Sequence, residues 1–306
     1  MTLITHPADA TVFAPDLPRS YDTSRAPLEL PGGKKLAVSI LLHAPAYVDV
    51  LPATASKPMS MAGGVGRDSG EPKHGQVARL SQWDFGLTCG IWRLLSIAER
   101  NGVPIGVALD AYGAANVPGL AAETAARAQE IVIRGAAANS ILSASMTAQE
   151  ERDYIARARD AVEREAGTSS TGWFSPERAT TPRTTALLRE EGFEWFGEWP
   201  VDERPVPLDG PSSGITAVPY SLETEDVFEL YTRGIPFSDY EQLLVDTIDS
   251  LVSGFDVTGG RFLGLSMFGW VSGQACFAGV AERTFAMLAQ HPDVLLVTPQ
   301  EAAALR

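Results

Sequence analysis

The chain has 306 residues, 45% of them hydrophobic, with a formal net charge of −14 and an isoelectric point near 4.7. That apolar content suffices for a large core, and the acidic balance argues against a nucleic-acid partner, which would draw on clustered Lys and Arg. No apolar run approaches the roughly 20 residues that a bilayer-spanning helix requires, so no membrane partner is expected.

Residues 1–25 are polar and proline-punctuated, with neither a basic start nor an apolar core for export, and read as an N-terminal extension of a single domain, 26–306. With Cys89 and Cys276 as the sole cysteines, a reducing, cytoplasmic setting is the expectation. The first strand-like run is 36–42, with His43 at its end and Pro45, Ala46 and Tyr47 just beyond. Residues 52–82, rich in Gly, Ser and Pro, form an insertion after that strand, either a lid over the C-terminal face of a barrel or a solvated loop. Its Gly63-Gly64 and Gly66 lack the Lys-Ser/Thr ending of a phosphate loop.

Runs 103–109 and 130–133 follow, ending at Asp110 and Arg134. Thr147 and Glu150 have capping-box spacing ahead of a helix that carries Tyr154, Ile155, Ala158 and Val162 on one face. After run 172–174 comes Glu177, then a Thr181-Pro182 helix start and a Gly192 stop. Run 193–197 leads to Glu198, Trp199 and Asp202 and into a second insertion, 201–214, a second candidate lid. Run 215–220 precedes a repeat of the capping-box spacing at Ser238 and Glu241; runs 262–267, ending at Phe268, Gly269 and Trp270, and 294–297, before Thr298-Pro299, complete the chain. Strands alternating with helices predict an α/β fold on parallel strands, whose C-terminal ends converge on one face.

The residues at those ends are the candidate site. Arg134 carries a permanent cation and would hold a carboxylate or polarised oxygen through a bidentate fork, or else pair structurally with an acid such as Asp84 or Asp110. His43 reads as a base near neutral pH or as a hydrogen-bonded core histidine. Asp110, Glu177, Glu198 and Asp202 are acids able to share a pocket; equally, Glu177 beside Arg178, and Asp202-Glu203 beside Arg204, are adjacent charges that water can satisfy. Tyr47, Trp173, Trp199, Phe268 and Trp270 would line a pocket for a flat or apolar ligand, or serve as core. His6, His74 and His291 show no metal-site spacing with His43.

Several segments resemble the allantoinase-like branch of the polysaccharide deacetylase superfamily, the proteins with a NodB-homology domain. They are Gly172-Trp173-Phe174-Ser175-Pro176, Thr181-Pro182-Arg183-Thr184 and the stretch 198–207, preceded by Trp83-Asp84-Phe85-Gly86 and Gly90-Ile91-Trp92-Arg93-Leu94, and followed by Val218-Pro219-Tyr220 and Gly273-Gln274. The resemblance implies a distorted (β/α) barrel of about seven βα units and, in active relatives, hydrolysis of C–N bonds in amides or cyclic ureides. It also implies where ligands and acids belong, and there this chain departs. An acid-His element after the first strand becomes Pro45 and Ala46, with Tyr47 kept. A His-Gly becomes Arg134-Gly135, with Asn139-Ser140 kept. A Leu-His-Pro becomes Met267-Phe268-Gly269, a Pro-His-Arg becomes Ala275-Cys276-Phe277, and an Asn-Arg pair becomes Leu87-Thr88.

A hydrolytic divalent ion needs about three His or carboxylate ligands and an open position, so no metal and no cofactor are expected. Two readings follow. In the first the chain is a metal-independent small-molecule enzyme, a hydrolase or lyase on an amide, lactam or cyclic imide, with Arg134 holding the anion, Asp202 or His43 carrying the proton, and Tyr47, Asp84, Asp110, Asn139, Glu177, Glu198, Trp199, Phe268 and Trp270 around the substrate. In the second it is a catalytically silent paralogue, a ligand binder or the partner subunit of an active relative. Either a homo-oligomer or a hetero-oligomer with a related subunit is expected.

Overall fold

The structure, a computed structural model, describes residues 14–48 and 77–305. At its centre lies β1 (Leu36–Ala44), buried along its whole length because it is covered on both faces. Its neighbours are β2 (Ile105–Leu109), β8 (Arg261–Phe268) and β9 (Val294–Leu296), all parallel to it. From β2 the sheet continues through β3 (Glu130–Ile133), β4 (Gly172–Trp173), β5 (Trp195–Phe196) and β7 (Thr216–Ala217), again parallel, with β6 (Val206–Pro207) antiparallel on β7. A bridge between Tyr220 and Gly264 on β8 brings the far side of the sheet back to its start, giving a distorted barrel. Glycine is required at that closure: a Cβ on Gly264 would stand 2.6 Å from the Pro219 carbonyl oxygen and from the Tyr220 ring.

Period-two side-chain alternation divides β1 between two cores. Leu36, Val38, Ile40, Leu42 and Ala44 face outward to the helices, while Ala37 and Leu41 face the barrel lumen with Phe174, Trp195, Val218, Tyr220 and Phe262. Buried hydroxyls inside the lumen are paired, as in the 2.9 Å contact between Ser39 Oγ and Tyr220 Oη. The predicted capping box at Thr147 and Glu150 forms and starts α5 (Ala148–Ala166), and another forms at Thr298 and Glu301.

Two helix starts differ from the sequence reading. The helix after Thr181 begins later, as α6 (Thr184–Glu190) without a side-chain cap. The Thr181 hydroxyl goes instead to Glu151, a fully buried carboxylate that also takes the Thr184 hydroxyl and the Arg183 guanidinium. Ser238 does not cap α7 (Phe237–Ser253) either: the helix starts one residue before it, at a Pro236 N-cap, and its hydroxyl donates to Asp239. The 201–214 segment is not over the strand C-terminal ends. The Glu203 carbonyl accepts the amide of Phe262, at the opposite end of β8 from Phe268, and the Asp209 amide reaches the Asp16 carbonyl. The other candidate lid lies outside the described residues through 76, as does His74; residues 77–82 already belong to α1 (Val77–Phe85).

Candidate functional site

Strand ends β3, β4 and β8 and the segment after β7 surround one cavity of about 180 Å³, lined by Arg134, Phe174, Glu177, Arg178, Leu222, Glu225, Val227, Phe228, Thr232 and Phe268. This is the C-terminal face, where a parallel barrel builds its sites. Arg134 follows β3 directly and is 2% exposed. Its Nε and Nη1 have no hydrogen-bond partner among the described residues. What it has is the Phe268 ring, 5.6 Å from the guanidinium carbon. The ion pair considered for it from the sequence does not form: both oxygens of Asp110 are taken by backbone, at 2.7 Å from Ala46 N and 2.7 Å from Gly113 N, and Asp84 is exposed on α1. Burial pushes the Asp110 carboxyl up to about 7 against the pull of those amides and of Arg134.

The second guanidinium of the cavity is satisfied. Arg178 donates to the Tyr220 carbonyl at 2.6 Å and to Glu225 at 2.7 Å, and lies 5.0 Å from the Phe174 ring centroid. To reach them the chain places Glu177 and Arg178 consecutively at left-handed φ values of 54° and 55°. Such backbone costs of order 1–3 kcal/mol per residue and persists where the surroundings over-determine it.

His43 lies one layer deeper, fully buried, stacked on Phe268 at 4.4 Å and edge-on to Phe174 at 4.8 Å. Its Nε2 sits 3.3 Å from Ser266 Oγ, and Nδ1 has no partner among the described residues. Burial, reinforced by Arg134 and Arg178, holds its pKa well below the usual histidine value, so the imidazole is neutral. Glu198 is buried nearby in the fold, accepting the Ser175 amide at 2.5 Å while its Oε2 has no partner among the described residues; burial raises its pKa.

The remaining sequence candidates are elsewhere or occupied. Asp202 does not join Arg134 and His43. It is bound by Arg25 of the N-terminal segment through both guanidinium nitrogens, next to the pairs that Arg261, at the start of β8, makes with Glu203 and Asp22. Asn139 is spent clamping the chain beyond β1, with bonds of 3.0 and 2.8 Å to the Val48 amide and carbonyl. Trp199 packs edge-on to Phe196 and donates to Thr180. Tyr47 stacks on Trp83 at 4.2 Å, and Trp83 meets Trp270 edge-on; these three share a buried cluster with Phe268 and Val227 but do not themselves line the cavity.

Sequence reasoning missed Leu222, Glu225, Val227, Phe228 and Thr232, which reach the cavity from the irregular stretch after β7 and its π-helical turn Phe228–Arg233. It missed Asp226 as well, a fully buried acid that holds the turn after β8 by accepting the Phe268 amide at 2.9 Å and the Ser272 hydroxyl at 2.6 Å. The only signal was a polar run, Glu223 to Asp226, beyond a strand end.

Among the described residues, the groups at this mouth do not fit metal ligation. A guanidinium and a phenyl ring take the positions of two implied histidines, and both Asp110 oxygens are engaged. No group of three or more His, Cys, Asp or Glu able to hold a metal occurs among the described residues. No described helix is long and apolar enough to cross a membrane.

No family model matches the chain, and no curated protein matches it. Solved structures do. A probable polysaccharide deacetylase from Pseudomonas aeruginosa PAO1 superposes with a TM-score of 0.79 at 22% identity over 92% of this chain and 93% of the other. Puue allantoinase gives 0.78 at 21% identity over the same shares, 92% and 93%. A mutant of BA3943, a CE4 family pseudoenzyme, gives 0.51 at 9% identity over 91% of this chain and 71% of its own. The chain thus has the polysaccharide deacetylase fold in the form also seen in allantoinase.

Proposed function

We propose that this chain uses a polysaccharide deacetylase-type barrel to hold a small anionic or strongly polarised ligand at its mouth without a metal ion, and that it does not perform the metal-dependent C–N hydrolysis implied by its resemblance. One observation carries the proposal: Arg134, at 2% exposure and with Nε and Nη1 unpartnered among the described residues, lines the cavity. A buried cation without a partner costs several kcal/mol, and a ligand oxygen is the group that would compensate it. The existence of a pseudoenzyme on this scaffold supports a degenerate site of this kind.

The reading is tested by titrating small carboxylates into wild type and Arg134→Met and by elemental analysis after dialysis. Arg134→Met should weaken anion binding by about 1.5–3 kcal/mol, the range for hydrogen bonds to charged groups. Anion binding indifferent to the variant, or near-stoichiometric transition metal bound at the mouth, would overturn it.

A second reading keeps catalysis, as a metal-free hydrolase or lyase on an amide, lactam or cyclic imide. Its support is Glu177, an acid lining the same cavity as Arg134 on left-handed backbone: Arg134 would polarise a carbonyl while Glu177 moves a proton. Neither earlier proton carrier suits that role, since Asp202 is bound by Arg25 and His43 lies behind Phe268 and Phe174. Turnover of any such substrate, lost in Glu177→Gln with binding retained, would establish it.

A further inference from the structure

The cavity offers more than a charge. Of its two guanidiniums, Arg178 is already matched by Glu225 at 2.7 Å and by a carbonyl at 2.6 Å, which leaves Arg134 as the one cation lining it without a hydrogen-bonded partner among the described residues. Glu177 is half-buried at the rim. A dianion such as phosphate would need a second uncompensated cation, whereas a carboxylate matches a single guanidinium fork in plane and in charge.

Apart from Thr232, the remaining wall is apolar and ring-rich: Phe174, Phe228 and Phe268 with Leu222 and Val227. Its volume of about 180 Å³ exceeds the roughly 150 Å³ of an engineered apolar cavity that takes up benzene. Aromatic faces and edges around such a space favour a flat ring over a flexible chain, because ring pairs add energy beyond area burial and a ring loses little rotational freedom.

We propose that the ligand of this cavity is an aromatic monocarboxylate, its carboxylate on Arg134 and its ring among Phe174, Phe228 and Phe268. This rests on the anion-holding reading above and narrows it to a chemical class. A neutral cyclic amide, the kind of substrate implied by resemblance, would leave the guanidinium uncompensated.

The test is calorimetric titration of the whole chain with benzoate, cyclohexanecarboxylate, acetate, inorganic phosphate and benzamide, repeated on Arg134→Met, Arg134→Lys and Phe228→Ala. Benzoate should bind at one site, with benzamide about ten- to a hundredfold weaker, in line with loss of a charge-assisted pair. Cyclohexanecarboxylate and acetate should bind more weakly than benzoate. Arg134→Met should weaken benzoate binding about ten- to a hundredfold, Arg134→Lys should weaken it less, by loss of the fork, and Phe228→Ala should weaken benzoate more than acetate. The benzoate–benzamide comparison needs no variant, so it stands if a substitution prevents folding. Acetate or phosphate binding as tightly as benzoate through Arg134 would overturn the aromatic assignment and leave the anion site intact. Benzamide equal to benzoate, or no binding by any of the probes, would overturn both.

Discussion

Replacing Arg134 by Met should make the unliganded protein more stable while weakening its stabilisation by an anion. The guanidinium is 2% exposed, and its Nε and Nη1 have no hydrogen-bond partner among the described residues. The effective cost of burying an ion in that state is several kcal/mol, and replacing buried charge with a well-packed apolar group of similar volume is often stabilising by about 1–4 kcal/mol. Against this stands the loss of the Phe268 contact at 5.6 Å, worth about 0.5–2 kcal/mol, and of the attraction between Arg134 and Asp110. The net expectation is a gain of about 1–2 kcal/mol. At about 2–4 °C per kcal/mol for domains of 150–250 residues, the melting midpoint should rise by a few degrees. Ligand at a hundred times the wild-type Kd should add about 2.7 kcal/mol to the wild type and only about 0.3–1.3 kcal/mol to the variant. Differential scanning fluorimetry with urea unfolding, both with and without benzoate, measures both effects. An unliganded variant less stable than wild type by more than about 1 kcal/mol would refute the reasoning and make Arg134 a structural residue.

Glu151→Ala should destabilise by about 3–5 kcal/mol in urea unfolding, because Arg183, Thr181 and Thr184 all donate to that fully buried carboxylate; a loss under 1 kcal/mol would mean that water replaces the network. Stability should fall as the pH rises from about 5 to about 7. Burial raises the Asp110, Glu130 and Asp226 carboxyls to about 7 from 3.8, 4.5 and 3.8, so across that window the folded chain holds protons that the unfolded chain has released, and the advantage disappears above the folded values. A urea midpoint that rises from pH 5 to pH 8 would contradict this. The double variant Arg134→His with Phe268→His should still retain no stoichiometric zinc after dialysis, as read by elemental analysis.

Long-range order was legible where the chain is buried on both faces. The run at 36–42 and its partners read as parallel strands because uninterrupted apolar sequence is what a doubly covered strand requires. Cap spacing was legible at Thr147 and Thr298, where each hydroxyl has no competing partner. It misled at Thr181, since a cap pattern carries no information about a carboxylate 30 residues upstream that claims the same hydroxyl. Arg134 and Phe268 were legible at the site because strand ends converge in this fold. Arg178 and Glu225 were not: they meet across 47 residues, and only the left-handed turn at Glu177 aims Arg178 inward. Asp202 misled for the same reason, since its partner Arg25 is 177 residues away. Gly90, in the segment Gly90-Ile91-Trp92-Arg93-Leu94, has a packing cause that spacing does not display: a Cβ there would stand 1.9 Å from the Gly269 carbonyl oxygen, beyond the end of β8.

The departures at the mouth act together, which is the ground for expecting that restoring two histidines would not restore a metal centre. Beyond β1 stand Pro45, which has no amide proton, and Ala46, whose amide is a donor to Asp110 rather than a ligand. Asp110 is consequently consumed as the cap of α3 (Ala111–Asn116) and as the anchor of the chain beyond β1, and freeing it would leave two buried amides unpaired. At the end of β8, the Phe268 amide is fixed by Asp226 while the ring stacks on His43, which keeps that imidazole dry and neutral. Phe268 also supplies the face toward which the Arg134 cation is turned. The ring, the cation and the neutral imidazole therefore support one another: a water-activating ion would need the ring removed, and without the ring the guanidinium would lose its contact and the imidazole its cover. With apolar walls, and Arg134 as the one cation lining it without a hydrogen-bonded partner among the described residues, the mouth suits the carboxylate capture proposed above.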